Sequence, residues 1–107
     1  MDLLSQWPII RVVRFEWDPE KADANFAKHG VSFEQASELF TSGVDFLEIF
    51  DEAHSVVEER FLAIGPIRTG VVLVVWTEVE EDTVRIISAR MANRREQALY
   101  HAHMEPR

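Results

Sequence analysis

The sequence contains no cysteine, which excludes disulfide bonds and thiolate metal sites. Glycine and proline are also scarce, with four of each among 107 residues, and no linker, repeat or low-complexity tract is visible. The longest apolar run, Val71 to Trp76, is far shorter than the roughly 20 residues that a membrane-spanning helix requires. These absences predict a single domain over residues 1–107, in the cytoplasm and without a membrane partner.

Basic residues are few and unevenly distributed. The formal net charge is −8, and residues 16–59 contain twelve acidic side chains but only two lysines and no arginine. Four arginines instead fall within eleven residues near the other end of the chain: Arg85, Arg90, Arg94 and Arg95. The net charge argues against broad nucleic-acid affinity, which depends on neutralising phosphates, but it is compatible with one local anion site.

Helix-start signals occur at three places in the sequence. Each combines a capping side chain with a following proline, glutamate or glutamine, a pattern typical of the first turn of a helix. The predicted helices begin at Asp18-Pro19-Glu20 and end near His29, begin at Ser32 and end near Gly43, and begin at Asn93 and end near Met104.

The remaining segments favour strands. They are predicted over residues 9–17, Val44 to Glu52, Val57 to Ile64, Val71 to Glu78 and Thr83 to Arg90. The gaps after Val44 are short, with turn residues such as Gly65-Pro66, so they permit hairpins but not parallel crossovers. Because Val71 to Trp76 shows no polar alternation, this strand is expected to be central and covered on both faces. The sequence therefore predicts an α+β domain: a strand, two helices, a four-stranded antiparallel meander and a C-terminal helix.

The arginines are the first candidates for a functional role. Strict alternation along the last strand places Arg85 and Arg90 on opposite faces, unless the strand bends. Arg90, Arg94 and Arg95 are the better-grouped set, and they open a helix, where free backbone N–H groups also attract phosphate. Each arginine either pairs with a carboxylate, for which Glu96 is the obvious candidate near the helix start, or holds an RNA phosphate.

Other candidates are a histidine and an acid–base pair. His29, at the end of the first predicted helix, is either favourable with the helix dipole or a general acid or base. Glu58 and Arg60 lie two apart on a predicted strand, so they point the same way and form either a surface ion pair or a base with a phosphate clamp. His54 is expected in a turn. Neither a cofactor fingerprint nor a metal-ligand pattern is present, so no cofactor or metal is expected.

Several short motifs follow one another with a specific order and spacing. They are Phe15 to Ala22, Asn25, Lys28 to Ala36, Glu59-Arg60, Gly65, Trp76-Thr77-Glu78, Arg85 to Arg90, and Arg94-Arg95-Glu96 with Tyr100. Together they resemble the BrnT toxin family over about residues 15–100, which leaves residues 1–14 as an N-terminal extension.

The resemblance implies a RelE-like fold and a place in a type II toxin–antitoxin pair. Such a toxin is an endoribonuclease that cleaves RNA without metal and inhibits translation. The implied partner is a BrnA-like antitoxin with a ribbon-helix-helix DNA-binding module, which forms a hetero-oligomer with the toxin. DNA would be contacted only indirectly, through that antitoxin.

RNA cleavage of this kind needs a base for the 2′-hydroxyl, positive charge at the phosphate and an acid for the leaving oxygen. The resemblance makes the candidate residues motif positions without fixing their roles. The candidates are His29 or Glu58 as the base, Arg60, Arg85 and Arg90 as the phosphate clamp, Arg94 or Arg95 as an RNA contact, and Tyr100 or Trp76 as a base-stacking ring, unless these two rings pack in the core.

One position departs from the family pattern. After Thr77-Glu78 the family usually continues with arginine, whereas this chain has Val79 followed by an acidic turn. The loss of a positive group leaves an alternative open: a catalytically degenerate module that binds an antitoxin without cleaving RNA.

Overall fold

A mixed sheet of five strands with helices on both faces forms the protein, whose computed structural model describes residues 13–80 and 82–106. None of the described helices is long and apolar enough to cross a membrane. In chain order the elements are β1 (Arg14–Glu16), α1 (Pro19–His29), α2 (Phe33–Thr41), β2 (Leu47–Phe50), a 3₁₀ turn (Glu52–His54), β3 (Phe61–Ile67), β4 (Gly70–Glu80), β5 (Thr83–Met91) and α3 (Arg94–Met104).

The three predicted helices are confirmed, and their capping groups explain where they begin. The Asp18 carboxylate accepts a hydrogen bond from the backbone N–H of Glu20, 2.9 Å away. Ser32 with Gln35, and Asn93 with Glu96, each form a reciprocal capping box. Helix α1 ends where Gly30 adopts a left-handed conformation, with φ of 71°.

The sheet order is β1-β5-β4-β3-β2. Strands β2 to β5 pair antiparallel in sequence order, which confirms the predicted meander. Strand β1 adds to the outer edge of β5 in parallel, with Glu16 beside Arg85. Residues 9–12 of the predicted first strand lie outside the described part of the chain.

Strand β3 differs most from the sequence prediction. It begins at Phe61 and not at Val57, and the expected turn at Gly65-Pro66 lies inside it. Gly65 is required there because a Cβ atom would stand 2.6 Å from Leu39 of α2. Pro66 is tolerated because the pairing of β3 with β2 ends at Ile64, so the missing N–H breaks no bond on that side.

The central position predicted for β4 is confirmed, because apolar clusters lie on both of its faces. Val72, Val74 and Trp76 pack with α1 and α2 in one cluster. Leu73 packs with Tyr100 of α3 in the other. An all-apolar strand is stable here because neither face meets water.

Strand β5 contains a β-bulge that decides where its arginines point. Val75 pairs with Ser88 and Trp76 with Ile86, so Ile87 is an extra residue. The buried positions before and after the bulge, Ile86 and Ala89, are consequently three residues apart yet share one cluster. Arg85 and Arg90 therefore both lie on the opposite face, the face of α3, and the expectation from strict alternation was wrong.

Candidate functional site

The polar residues around Arg85 and Arg90 form two regions at opposite ends of the sheet. The loop end consists of residues 51–60, the end of β4 over residues 77–80, and Arg85. The helix end consists of Arg90 and the first turn of α3, over residues 93–96. Five residues of extended chain separate the two arginines of β5 by about 16 Å, at roughly 3.3 Å per residue. The two arginines of β5 therefore lie at different ends of the sheet.

The loop over residues 51–60 is closed at its base by hydrogen bonds. The backbone N–H of Asp51 donates to the carbonyl of Arg60 at 2.8 Å. The Ser55 hydroxyl donates to the carbonyl of Asp51 at 2.5 Å and accepts from the N–H of Arg60 at 3.0 Å. These bonds hold the first and last residues of the loop together, so its side chains project from a fixed frame.

A second tie fixes the end of the loop to the sheet. Thr77 of β4 is only 4% exposed, and its hydroxyl donates to the carbonyl of Glu59 at 2.5 Å. Glu58 and Arg60 flank this anchored residue, and Glu58 Oε1 lies 3.5 Å from Arg60 Nε. The two side chains meet as predicted, but from an irregular segment and not from a strand.

The guanidinium groups at the loop end have spare hydrogen-bonding capacity. Arg60 Nε is buried and makes no hydrogen bond within the described part of the chain, while about a third of the side chain (34%) remains exposed. Among residues 13–80 and 82–106, no acidic side chain forms an ion pair with Arg85, which is exposed. The exposed part of the Arg60 side chain and the exposed Arg85 are available to an anionic ligand.

Two open clefts meet at Glu58. One, of about 550 Å³, is lined by Glu58, Glu59, Phe61, Thr77, Glu78, Val79, Glu80 and Arg85. The other, of about 560 Å³, is lined by Ala53, His54, Val56, Val57, Glu58 and Arg60. Val79 reaches the first cleft from a second bulge, since Glu78 pairs with Val84 and Glu80 with Thr83. The first cleft combines one arginine with four carboxylates, so its charge balance is acidic.

The helix end contrasts with this because its β5 arginine, Arg90, is already paired. Arg90 Nη1 and Nη2 donate to the two carboxylate oxygens of Glu96, both at 2.7 Å. These hydrogen bonds hold the pKa of Glu96 below its ordinary value, against the opposing effect of burial, with help from the backbone N–H of Asn93. They likewise raise the pKa of Arg90. Of the two roles left open for Arg90, the structure shows the carboxylate pair.

His29 lies towards the helix end. Four residues before it, the buried Asn25 amide donates to the carbonyls of Val31 and Ala89 and accepts from the N–H of Ala89. The end of α1 is thereby tied to the stretch of β5 next to Arg90. His29 is half-buried there, and it is not brought together with Glu58.

The predicted RNA contacts of α3 differ in accessibility. Arg94 and Arg95 are exposed on its first turn. Tyr100 is only 8% exposed and packs in the core, with its hydroxyl 3.5 Å from the carbonyl of Asp45. Trp76 is equally buried, so the packing role applies to both rings. Phe61, which stacks on Trp76 and lines the first cleft, is the aromatic ring that the site presents.

Sequence reasoning did not identify the contact between His54 and Asp51. His54 Nδ1 lies 2.9 Å and 3.1 Å from the two Asp51 carboxylate oxygens. His54 does lie in a turn, as predicted. The sequence feature that could have indicated this contact is the spacing of the two residues, which are three apart in a short turn-forming segment.

Comparisons with known proteins agree with this architecture. The family described as the ribonuclease toxin BrnT of a type II toxin–antitoxin system matches residues 17–96. The crystal structure of the Brucella abortus ribonuclease toxin BrnT is similar, with 27% identity and a TM-score of 0.61, over 78% of this chain and 100% of that chain. No curated protein sequence matches. The chain belongs to the BrnT family of ribonuclease toxins of type II toxin–antitoxin systems.

Proposed function

We propose that this protein is an endoribonuclease that cleaves RNA at the loop end without a metal ion and so inhibits translation. The observation that carries the proposal is the arrangement of Arg60 and Arg85, two guanidinium groups with spare donors, on either side of the Glu58 carboxylate. Membership of a family of ribonuclease toxins supports RNA cleavage as the reaction class.

The chemistry follows from these three side chains. Glu58 is 43% exposed and its carboxylate accepts the proton of the ribose 2′-hydroxyl. Arg60 and Arg85 stabilise the additional negative charge on the phosphate as the 2′-oxygen attacks it. Phe61 offers an apolar ring at the edge of the cleft for a neighbouring base. Arg94 and Arg95 then contact the backbone of the RNA beyond the cleavage point.

The partner that we propose is a BrnA-like antitoxin with a ribbon-helix-helix module, bound in a hetero-oligomer. The family is one of type II toxin–antitoxin pairs, which supports an antitoxin partner. This toxin would then contact DNA only through the antitoxin.

The similarity of the fold to that of RelE remains a prediction from the sequence.

A second candidate function is a degenerate toxin that binds its antitoxin without cleaving RNA. The observation in its favour is the acidic first cleft, where Val79 stands in place of the usual family arginine among four glutamates. Carboxylates repel RNA phosphates, and this weakens binding most at low ionic strength.

The experiment that separates the two candidates measures growth arrest after induction and RNA cleavage by the purified protein. We expect the parent to arrest growth and to cleave RNA at substoichiometric levels, and the Arg60→Ala/Arg85→Ala variant to do neither. Arg68→Ala is the matched control, because Arg68 is 90% exposed in the distant β3–β4 turn. A folded parent that neither arrests growth nor cleaves RNA, free or on ribosomes, would favour the degenerate module.

A further inference from the structure

The contact between His54 and Asp51 has the geometry of an oriented imidazole. Both Asp51 oxygens lie within hydrogen-bond distance of His54 Nδ1, at 3.1 Å and 2.9 Å. The Asp51 side chain is 17% exposed, whereas that of His54 is 69% exposed. The carboxylate is thus the sheltered, fixed partner, and the imidazole is presented to solvent.

This contact determines which ring nitrogen exchanges a proton with a ligand. An ionised carboxylate only accepts hydrogen bonds, so Nδ1 must carry the hydrogen that it shares with Asp51. The other nitrogen, Nε2, is then free to give or take a proton. The doubly protonated ring is the form that can give up the proton on Nε2 and so act as an acid.

The imidazole shares a cleft with two residues of the proposed site. His54, Glu58 and Arg60 all line the second cleft, of about 560 Å³. The Ser55 hydroxyl, next to His54 in sequence, bridges Asp51 and Arg60 and so fixes the frame that carries all three. A phosphate held by Arg60 in this cleft would have a carboxylate and an imidazole within the same space.

We propose that His54 is a catalytic residue of the RNA cleavage, as the acid that protonates the leaving oxygen, and that Asp51 is its positioning residue. The proposal rests on the proposed ribonuclease function and supplies the one group that Glu58, Arg60 and Arg85 do not provide. Arginine cannot serve as the acid, since it does not lose its proton in proteins.

The step balances with these groups alone. Glu58 accepts the proton of the 2′-hydroxyl, and the 2′-oxygen forms a bond to phosphorus. The bond between phosphorus and the 5′-oxygen breaks, and that oxygen receives the proton from His54 Nε2. The products are a 2′,3′-cyclic phosphate and a 5′-hydroxyl, and the proton on Glu58 returns to His54 through solvent.

A substrate that needs no acid tests this role directly. We would compare a short RNA with the same RNA carrying sulfur in place of the 5′-bridging oxygen at one linkage, because a thiolate leaves without protonation. Each RNA is offered free and on ribosomes. We expect His54→Gln to lose about 10²- to 10⁴-fold in cleavage of the ordinary linkage and to approach the parent on the sulfur linkage. His103→Gln, an exposed histidine of α3, is the matched control.

Asp51→Asn tests the positioning role with the same two substrates. Its smaller loss on the ordinary linkage should also disappear on the sulfur linkage, and the double variant with His54→Gln should be no slower than His54→Gln alone. A structural role would slow both linkages equally and would add to the effect at His54.

The possible failures are distinguishable. If the parent cleaves neither RNA in either form, the proposed function fails and this inference fails with it. If the parent cleaves and His54→Gln matches it, or loses both linkages equally, the inference fails while the ribonuclease function stands.

Discussion

The loop end and the helix end both contain arginine and glutamate side chains, but among the described residues these are paired closely only at the helix end. At the helix end, Arg90 and Glu96 match each other with two hydrogen bonds of 2.7 Å. At the loop end, Arg60 and Glu58 approach only to 3.5 Å, and Arg85 has no acidic partner within the described residues. A matched pair stabilises the fold, whereas an incompletely matched group can bind a ligand.

The two ends also differ in what holds them. Side-chain hydrogen bonds to backbone groups, from Ser55 and Thr77, fix an irregular loop at one end. Regular capping fixes a helix start at the other. The proposed function at the loop end thus depends on residues that themselves do no chemistry. Four variants test the difference between the two ends, from the largest expected effect to the smallest.

Arg60→Ala should lower the rate of RNA cleavage by about 10²- to 10³-fold, because one charged donor to the phosphate is lost. The unfolding midpoint should change little, since the ion pair with Glu58 is loose and partly exposed. Single-turnover cleavage beside urea unfolding measures both quantities. A similar loss of rate in the control variant Arg68→Ala would show that net charge, and not this site, controls cleavage.

Asn25→Ala should destabilise the protein by about 3 kcal/mol, because it leaves the peptide groups of Ala89 and Val31 without their buried partner. Cleavage per folded molecule should be unaffected, since the contact lies near the helix end. Urea unfolding checks the free energy, with the exposed Asp23→Ala on the same helix as control. Equal stability of the two variants would contradict the account of this bridge.

The free energy of unfolding should decrease as the pH is lowered below about 4.5, because of Glu96. The folded state holds its pKa below the ordinary value of 4.5, chiefly through the hydrogen bonds from Arg90. A lowered pKa contributes stability that is present above pH 4.5 and lost as pH falls through the folded value.

Glu96→Gln tests this dependence. It should cost about 1–2 kcal/mol at neutral pH and flatten the acid side of the stability curve. Urea unfolding between pH 3 and pH 7 is the measurement, with the exposed Glu105→Gln as control. If the stability of Glu96→Gln fell at low pH as steeply as that of the parent, the Arg90–Glu96 pair would not contribute to this pH dependence.

Val79→Arg should raise cleavage by about three- to tenfold, the smallest effect, because it adds one exposed positive charge to the acidic first cleft. The gain should shrink as salt is added. Val79→Gln, which adds a polar side chain without the charge, is the control. An equal gain in both variants would show that the loss of valine, and not the added charge, causes the effect.

Local signals explain why the helices and the meander were predictable from the sequence. The capping boxes at Ser32 and Asn93 act within four residues, so they are readable one segment at a time. The apolar strand β4 likewise reflects its own burial on both faces. Each of these features depends on neighbours along the chain.

The features that were missed depend on contacts between distant segments. Gly65 suggested a turn, but its reason is the approach of Leu39 from α2. The bulge at Ile87 depends on how β5 pairs with β4. Because of this bulge, Arg90 lies on the same face as Arg85 and not on the opposite face that was predicted. The parallel pairing of β1 with β5 joins segments almost seventy residues apart, such as Arg14 with Thr83.

The candidate site was predictable in part for the same reason. The pairing of Glu58 with Arg60 followed from their spacing, although the segment is a loop. The separation of the arginines did not follow from the sequence, because only the register of β5 against β4 places Arg85 opposite Thr77 and Arg90 opposite Leu73, where Arg90 reaches Glu96. His54 was assigned to a turn correctly, yet its partner Asp51 is visible only in the folded loop.

The most direct test of this division compares RNA cleavage and urea unfolding of Arg85→Ala and Arg90→Ala side by side. We predict that Arg85→Ala loses about 100-fold or more in cleavage with little change in stability. Arg90→Ala should keep its cleavage rate and lose about 1–2 kcal/mol of stability, as Glu96 loses its partner. A loss of cleavage in Arg90→Ala, with Arg85→Ala active, would contradict the proposed placement of the catalytic site at the loop end.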